Sequence, residues 1–246
     1  MAEVRPVTPS MEGNSDGGPV EEQVDEAVAA SCIDSPDTLI PGSGFRHSRF
    51  YFWKKRLGHY PNFLYWNLRG RPERTPHFLK QRTVKEYARA YGLRTLVEAG
   101  TYYGEMVAAT RKCFASICSI EWDRRLAALA QSRFALYPHI RVLQGDSELW
   151  IPRMLEDIHA PCLFWLDGGY FIWAAKKSNP GRLMSELKAI LNHSISGHVI
   201  LLDDARCLNG QNGAPRIEDF LRSIHTDYPD RIVEVRHDIV RITPAN

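Results

Sequence analysis

Apolar runs of strand length alternate with amphipathic helical segments from residue 76 to the end of the chain. Residues 77–91 place apolar side chains at helical spacing, and Gly92 just beyond them suits a helix C-cap. The strand-length runs cover residues 95–99, 116–121, 140–144, 162–166 and 198–203. Helical segments lie between most of them, for example at residues 124–137 and 183–191. This alternation predicts an α/β fold in which helices cover both faces of a mostly parallel sheet.

The C-terminal part of the chain departs from this alternation. A helix is expected near residues 217–225, and the last two apolar runs, residues 231–236 and 239–243, are separated by His237 and Asp238. A two-residue link is too short to cross over between parallel strands. The pattern therefore predicts an antiparallel hairpin at the end of the sheet.

Charge divides the N-terminal third of the chain into two blocks. The net charge is +2, yet residues 1–44 hold one basic and nine acidic residues, whereas residues 45–90 hold twelve basic and two acidic ones. Residues 1–44 have no sustained apolar period and are predicted to be a disordered acidic tail. Residues 45–91 combine basic and aromatic side chains, which predicts a helical cap or lid on a domain formed by residues 92–246. The same composition would also suit single-stranded nucleic acid, although no RNA-binding module signature accompanies it.

Targeting signals and cysteine usage indicate the compartment. No run reaches the roughly 18 uncharged apolar residues of a membrane helix, and the first residues lack the basic and apolar regions of a secretory signal. The five cysteines form no C-x-x-C pair, so a disulfide framework or a structural zinc site is not expected. These features predict an unexported, cytoplasmic protein without a transmembrane segment.

The segment LVEAGTYYGEM at residues 96–106 is the most informative motif. A strand ends there in an acid and a glycine and turns through a second glycine into a helix, in the spacing E-x-G-x-x-x-G formed by Glu98, Gly100 and Gly104. Such a turn lets the backbone approach a ligand at the carboxyl edge of the first strand. A nicotinamide dinucleotide fingerprint would require glycine at position 98, and a P-loop would require G-x-x-x-x-G-K, so neither is indicated.

Acidic or polar residues also close the following strands. Glu121 ends the second strand, about twenty residues after the glycine turn, where an acid can accept both hydroxyls of a ribose. Asp146 and Ser147 follow the third strand and could meet an adenine edge, although Asp and Ser are also common helix N-caps. Asp167 follows the fourth strand, and Asp203 and Asp204 follow the fifth.

With these motifs, residues 77–246 resemble the class I S-adenosylmethionine-dependent methyltransferases. The resemblance implies a Rossmann-like, seven-stranded sheet with a reversed C-terminal hairpin. It further implies three groups of cofactor contacts, to the methionine part, the ribose and the adenine. The resemblance assigns Glu121 to the ribose and Asp146 with Ser147 to the adenine. It assigns five residues to the methionine part: Glu98, Gly100, Thr101, Gly104 and Asp167.

Three carboxylates at the tips of adjacent strands would repel each other unless protonated or paired with a cation. Arg206 is the nearby basic residue within these motifs, so a hard divalent cation such as Mg²⁺ bound by Asp167, Asp203 and Asp204 is the expected counter-charge. The arrangement is similar to metal-dependent O-methyltransferases of the catechol and macrolide-sugar type, although Gly168, Gly169 and Tyr170 stand where related sequences often carry a His or a further acid. Two alternatives remain open: a metal-free site in which Asp203 or Asp204 is a general base, and a structural pairing of Asp204 with Arg206.

The resemblance leads to a functional expectation. It implies methyl transfer from S-adenosylmethionine to an oxygen of a small molecule or glycan, with Asp167, Asp203 and Asp204 as the catalytic residues. One alternative is a catalytically inactive methyltransferase-like binding or scaffold protein. A second is an RNA-directed methyltransferase that uses the basic aromatic segment. The identity of the acceptor and the oligomeric state are left open by the sequence.

Overall fold

The computed structural model describes residues 65, 68, 69, 75–167, 182–211 and 214–245. The predicted acidic tail, nearly all of the basic aromatic segment before residue 75, and the segment that begins with Gly168 lie outside the described residues. The described helices and strands follow one another in the alternating order that the sequence predicts. The helices are α1 (His77–Ala90), α2 (Glu105–Thr110), α3 (Arg124–Phe134), α4 (Ser147–Glu156), α5 (Arg182–Leu191) and α6 (Ile217–Asp227). The strands are β1 (Thr95–Ala99), β2 (Ser116–Glu121), β3 (Ile140–Gln144), β4 (Leu163–Leu166), β5 (Val199–Leu202), β6 (Arg231–Arg236) and β7 (Ile239–Pro244).

The strands form one seven-stranded sheet in the order β3-β2-β1-β4-β5-β7-β6. β1 to β5 pair in parallel, whereas β7 is antiparallel to both β5 and β6. The predicted parallel sheet and its C-terminal antiparallel hairpin are therefore confirmed. The strand order reverses between β1 and β4, which makes this the topological switch point where open α/β sheets bind ligands.

Side-chain alternation along the strands divides the core into two layers. On one face, Leu96, Ile117 and Leu163 pack with apolar residues of α1, α2 and α3. On the other, Val97 and Phe164 pack with apolar residues of α4, α5 and α6. Because the central strands are covered on both faces, their sequences read as continuous apolar runs.

Helix α1 packs directly on the sheet. Val84 and Ala88 are buried in the same cluster as the strand residues of that face. The helix ends near Gly92, whose N–H donates to the carbonyl of Arg89, as expected for a glycine C-cap. The boundary predicted at residue 91 between cap and domain stays a prediction, but α1 contributes to the core of the sheet domain. Among the described residues, no helix is long and apolar enough to cross a bilayer.

Candidate functional site

Gly100, which follows β1, and Asp167, which follows β4, meet at the switch point. The N–H of Asp167 donates to the carbonyl of Ala99 over 3.1 Å. Gly100 has φ +98°, and a Cβ added there would lie 3.0 Å from the Cβ of Asp167. A contact of 3.0 Å is tighter than nine in ten Cβ contacts in proteins, and the positive φ also disfavours a side chain, so glycine is the favoured residue at position 100.

A side chain is disfavoured at position 104 for a different structural reason. Gly104 is the N-cap of α2 and has φ +71°, and a Cβ added there would lie 2.6 Å from Cε2 of Phe134 in α3. The sequence suggested that both glycines leave room for a ligand. In the structure the missing side chains leave room for protein atoms, Asp167 beside Gly100 and Phe134 beside Gly104. The predicted approach of a ligand to this turn stays a prediction.

Glu98 is fully buried beneath this turn, with 1% of its surface exposed. It accepts a hydrogen bond from the hydroxyl of Ser119 in β2, and the Ser119 hydroxyl is also hydrogen-bonded to that of Thr101. Burial raises the pKa of Glu98 to about 8; the Ser119 bond opposes this shift, and the nearby carboxylates of Asp167 and Glu121 add to it. Without a cation close by, much of this carboxyl group is therefore protonated at neutral pH.

Glu121 ties the loop after β1 to the end of β2. One carboxylate oxygen accepts the N–H of Tyr102 at 2.7 Å, and the other accepts the N–H of Asp123 at 2.9 Å. Burial raises the pKa of Glu121, while these backbone donors oppose the shift. An ionised carboxylate has about four acceptor positions, so Glu121 retains capacity for a further hydroxyl group beside its backbone donors.

The pair after β3 makes contacts within the protein. Asp146 is the N-cap of α4 and accepts the N–H of Glu148 at 2.9 Å, so the capping role that the sequence left open is present. Ser147 is buried and donates to Glu186 of α5 over 2.7 Å. The predicted adenine contacts of both residues stay predictions.

Asp167, Asp203 and Asp204 converge as the sequence predicts. One carboxylate oxygen from each residue lies within 4.8 Å of the other two. Asp203 and Asp204 are buried, and the N–H of Asp204 donates to the carboxylate of Asp203 at 2.9 Å. Asp204 adopts a left-handed conformation with φ +54°, which is unusual for a residue with a side chain.

The sequence analysis missed Lys80 of α1. Its Nζ lies 2.8 Å from Oδ2 of Asp203 and 3.2 Å from Oδ1 of Asp204, and 7% of the residue is exposed. Burial by itself would lower the pKa of Lys80, but the carboxylates of Asp203 and Asp204 raise it above its ordinary value. Within the motifs the sequence offered only Arg206 as a basic partner; Lys80 lies outside them, and α1 brings it to the acids from more than 120 positions away.

A signal for Lys80 does exist in the sequence. It precedes Val84 by four positions and Ala88 by eight, so it lies on the apolar stripe of α1. A lysine on such a stripe is rarely buried without a partner. What the pattern cannot supply is the identity of that partner, since it depends on how α1 docks on the sheet.

A second cation, Arg206, contacts the same cluster from the turn after β5. Its Nη1 lies 2.8 Å from Oδ1 of Asp204 and also pairs with Asp238 in the β6–β7 turn. The backbone N–H of Arg206 donates to Asp238 at 2.8 Å. The pairing of Asp204 with Arg206, left open by the sequence, is thus present, and it links the carboxyl end of β5 to the hairpin.

Comparisons with known proteins address the fold. No protein-family model matches the chain, and no curated protein matches it in sequence. Similar solved structures include the SAH-bound Podospora anserina methyltransferase PaMTH1, with 17% identity, 95% of this chain and 100% of that chain covered, and a TM-score of 0.51.

Two further structures resemble the chain to a similar degree. The SAM-bound O-methyltransferase TomG from Streptomyces achromogenes has 18% identity, 67% of this chain and 78% of that chain covered, and a TM-score of 0.50. An O-methyltransferase from Bacillus cereus in complex with SAH has 16% identity, 84% and 94% covered, and a TM-score of 0.50. At these identities the similarity establishes the Rossmann-like fold that these methyltransferases share.

Proposed function

We propose that the chain is an S-adenosylmethionine-dependent methyltransferase that methylates an oxygen of a small molecule or glycan. The observation that carries this proposal is the convergence of the glycine turn at Gly100, the acid Glu121 and the Asp167 cluster at the switch point of the sheet. Ligands of open α/β sheets bind at this position. The three similar structures are methyltransferases by their descriptions, and each holds SAM or SAH.

The residues at this edge suit the parts of S-adenosylmethionine. Glu121 keeps acceptor capacity for a ribose hydroxyl beside its backbone N–H donors. Glu98 is a buried carboxyl with a raised pKa, and a cation brought close to it would favour its charged form. We assign Glu98, Gly100, Thr101, Gly104 and Asp167 to the methionine end of the cofactor. Asp146 and Ser147 are assigned to the adenine.

The Asp167, Asp203 and Asp204 cluster is assigned to the acceptor. When bound, S-adenosylmethionine supplies a methyl group on a positively charged sulfur. The chain's own task is to hold the acceptor hydroxyl in line with that methyl group and to exclude water. A carboxylate of the cluster would take the proton that the acceptor oxygen loses. The divalent cation predicted from the sequence stays a prediction.

Calorimetric titration with S-adenosylhomocysteine tests the cofactor assignment. We expect saturable binding by the wild-type chain and at least about tenfold weaker binding by Glu121→Gln, because a charge-assisted acceptor is lost. Glu156→Gln makes the same chemical change at an exposed position of α4 and should bind as the wild type does. Saturable binding of NAD in place of the homocysteine compound would overturn the proposal.

Turnover separates an enzyme from an inactive binding protein. Transfer of a labelled methyl group to pools of hydroxylated small molecules and glycans should yield labelled product. If the chain binds S-adenosylhomocysteine but labels no acceptor across broad pools, the methyl-transfer half of the proposal fails, and a scaffold role is favoured.

A further inference from the structure

The acid cluster already contains a cation that belongs to the chain. Lys80 reaches it from α1 and places its ammonium 2.8 Å from Asp203 and 3.2 Å from Asp204. Both carboxylates and the lysine are buried. A lysine this deeply buried is held there by its partners, so the ion pairs are part of the folded structure.

This position conflicts with a divalent cation at the same acids. Mg²⁺ binds carboxylate oxygens at about 2 Å in near-octahedral geometry. An ion bound to the Asp203 and Asp204 oxygens that face Lys80 would lie within about 5 Å of its ammonium. Two positive charges so close together in a buried site repel strongly. Binding of the metal to these oxygens would therefore require Lys80 to leave its partners.

Arg206 strengthens the conflict from the other side. Its guanidinium contacts the same oxygen of Asp204 as Lys80 does. Nη1 of Arg206 lies 2.8 Å from Oδ1 of Asp204, and Nζ of Lys80 lies 3.2 Å from it. The same guanidinium pairs with Asp238, and the backbone N–H of Arg206 is fixed on Asp238 as well. Oδ1 of Asp204 is thus shared by two cations of the chain before any metal ion arrives.

We propose that Lys80 replaces a divalent cation in this site, so that Asp167, Asp203 and Asp204 bind no metal ion in the native chain. The location of this site beside the acceptor rests on the proposed function, whereas the statement about metal binding does not. The proposal runs against the Mg²⁺ requirement predicted from the motifs, and one set of titrations decides between them.

Mn²⁺ is the probe, observed by the loss of its free electron paramagnetic resonance signal on titration into the full-length chain. The wild-type chain should show no saturable binding at the cluster. Lys80→Met removes the ammonium and should bind Mn²⁺ at least about tenfold more tightly than the wild type. The double variant Lys80→Met/Asp203→Asn should not show this increase in Mn²⁺ affinity. Lys85→Met makes the same substitution on the same helix and should behave as the wild type.

Two results would overturn the proposal. One is Mn²⁺ binding by the wild-type chain that Asp203→Asn abolishes. The other is a folded Lys80→Met chain, judged by circular dichroism, that binds Mn²⁺ no better than the wild type. If Lys80→Met does not fold, Lys80→Gln keeps hydrogen-bond donors without the charge and takes its place in the same comparison. If the wild-type chain does not bind S-adenosylhomocysteine, the proposed function is rejected, but the conclusion from the Mn²⁺ titrations remains valid.

Discussion

The two edges of the sheet bury polar groups in different ways. At the carboxyl edge, Lys80 and Arg206 pair with the buried carboxylates of Asp203 and Asp204. At the amino edge, His198 precedes β5, and its Nδ1 accepts the N–H of Cys162 at 3.0 Å. Because Nδ1 accepts, neutral His198 carries its proton on Nε2.

The amino edge is completed by two further contacts of His198. Its Nε2 donates to Nδ1 of His193 at 2.8 Å, and its carbonyl accepts Nη1 of Arg231 at 3.1 Å. Arg231 is buried, and its acidic neighbour, Asp230, has a side chain 72% exposed. At the amino edge the His198 ring thus has uncharged partners, whereas the Arg231 guanidinium donates to a carbonyl and lies 3.6 Å, at Nε, from the exposed carboxylate of Asp230.

The difference agrees with the proposed function, in which the carboxyl edge binds a ligand. Uncharged hydrogen bonds satisfy buried polar groups at modest cost. Buried ion pairs carry a desolvation penalty that apolar side chains would avoid, so a cluster of them contributes little to stability overall. Their presence at the carboxyl edge agrees with the chemical role proposed for it, whereas the contacts at the amino edge join strands.

The largest expected effect is the loss of the buried cation at the carboxyl edge. Lys80→Met should lower the free energy of unfolding by about 3 to 5 kcal/mol, because Asp203 and Asp204 lose a charged partner while they remain buried. Arg231→Met at the amino edge should cost about 1 to 3 kcal/mol, since the partner left behind is mainly a carbonyl. Urea unfolding at neutral pH measures both values.

A double variant sharpens this comparison. Lys80→Met/Asp203→Asn removes a negative charge along with the positive one and should recover part of the lost stability. Equal costs for Lys80→Met and Arg231→Met would show that the two edges do not differ in the way described.

The next largest effect is the loss of stability expected when alanine replaces either of two glycines that have similar backbone angles. One glycine lies near each edge of the sheet. Gly104 (φ +71°) faces the ring of Phe134, whereas a Cβ at Gly92 (φ +62°) would meet no atom within 4 Å. Gly92→Ala should cost about 1 kcal/mol from the left-handed backbone. Gly104→Ala should cost about 2 to 4 kcal/mol, because overpacking against Phe134 adds to the same strain.

The Phe134 ring supplies the control for this pair. Phe134→Leu should reduce the additional cost of Gly104→Ala over Gly92→Ala in thermal or urea unfolding. If the two alanine variants are equally destabilised in the wild-type background, the contact with Phe134 does not limit position 104.

Most of the fold follows from the sequence because the strands are buried on both faces. The predicted runs 95–99, 116–121 and 140–144 coincide with β1, β2 and β3. The helix predicted at residues 124–137 ends earlier, at Phe134, since Pro138 disfavours helical geometry at the preceding residue. The pattern gives no bounds for α4, which contains Pro152.

The candidate site is only partly predictable. The convergence of Asp167, Asp203 and Asp204 follows from topology, because the carboxyl ends of parallel strands share one edge. Lys80 does not follow from topology, since its contact depends on the docking of α1 across a long sequence separation. Local patterns specify which face of a helix is buried, and tertiary packing decides which residues that face meets.

The smallest expected effect is a pH dependence that originates at the amino edge. Burial, with His193 and Arg231 nearby, lowers the pKa of His198 from an ordinary value of 6.5 to about 4. Between these pH values the unfolded chain binds more protons than the folded chain, so the stability associated with His198 is complete above about pH 6.5 and decreases as the pH falls towards 4. Urea unfolding at pH 7, 6 and 5 should show this decline.

His198→Asn should be less stable at pH 7 and show a shallower decline, whereas His225→Asn, at an exposed position of α6, should keep the wild-type slope. An unchanged slope in His198→Asn would assign the acid sensitivity to other groups, with the buried carboxylates of the opposite edge as the next to be tested.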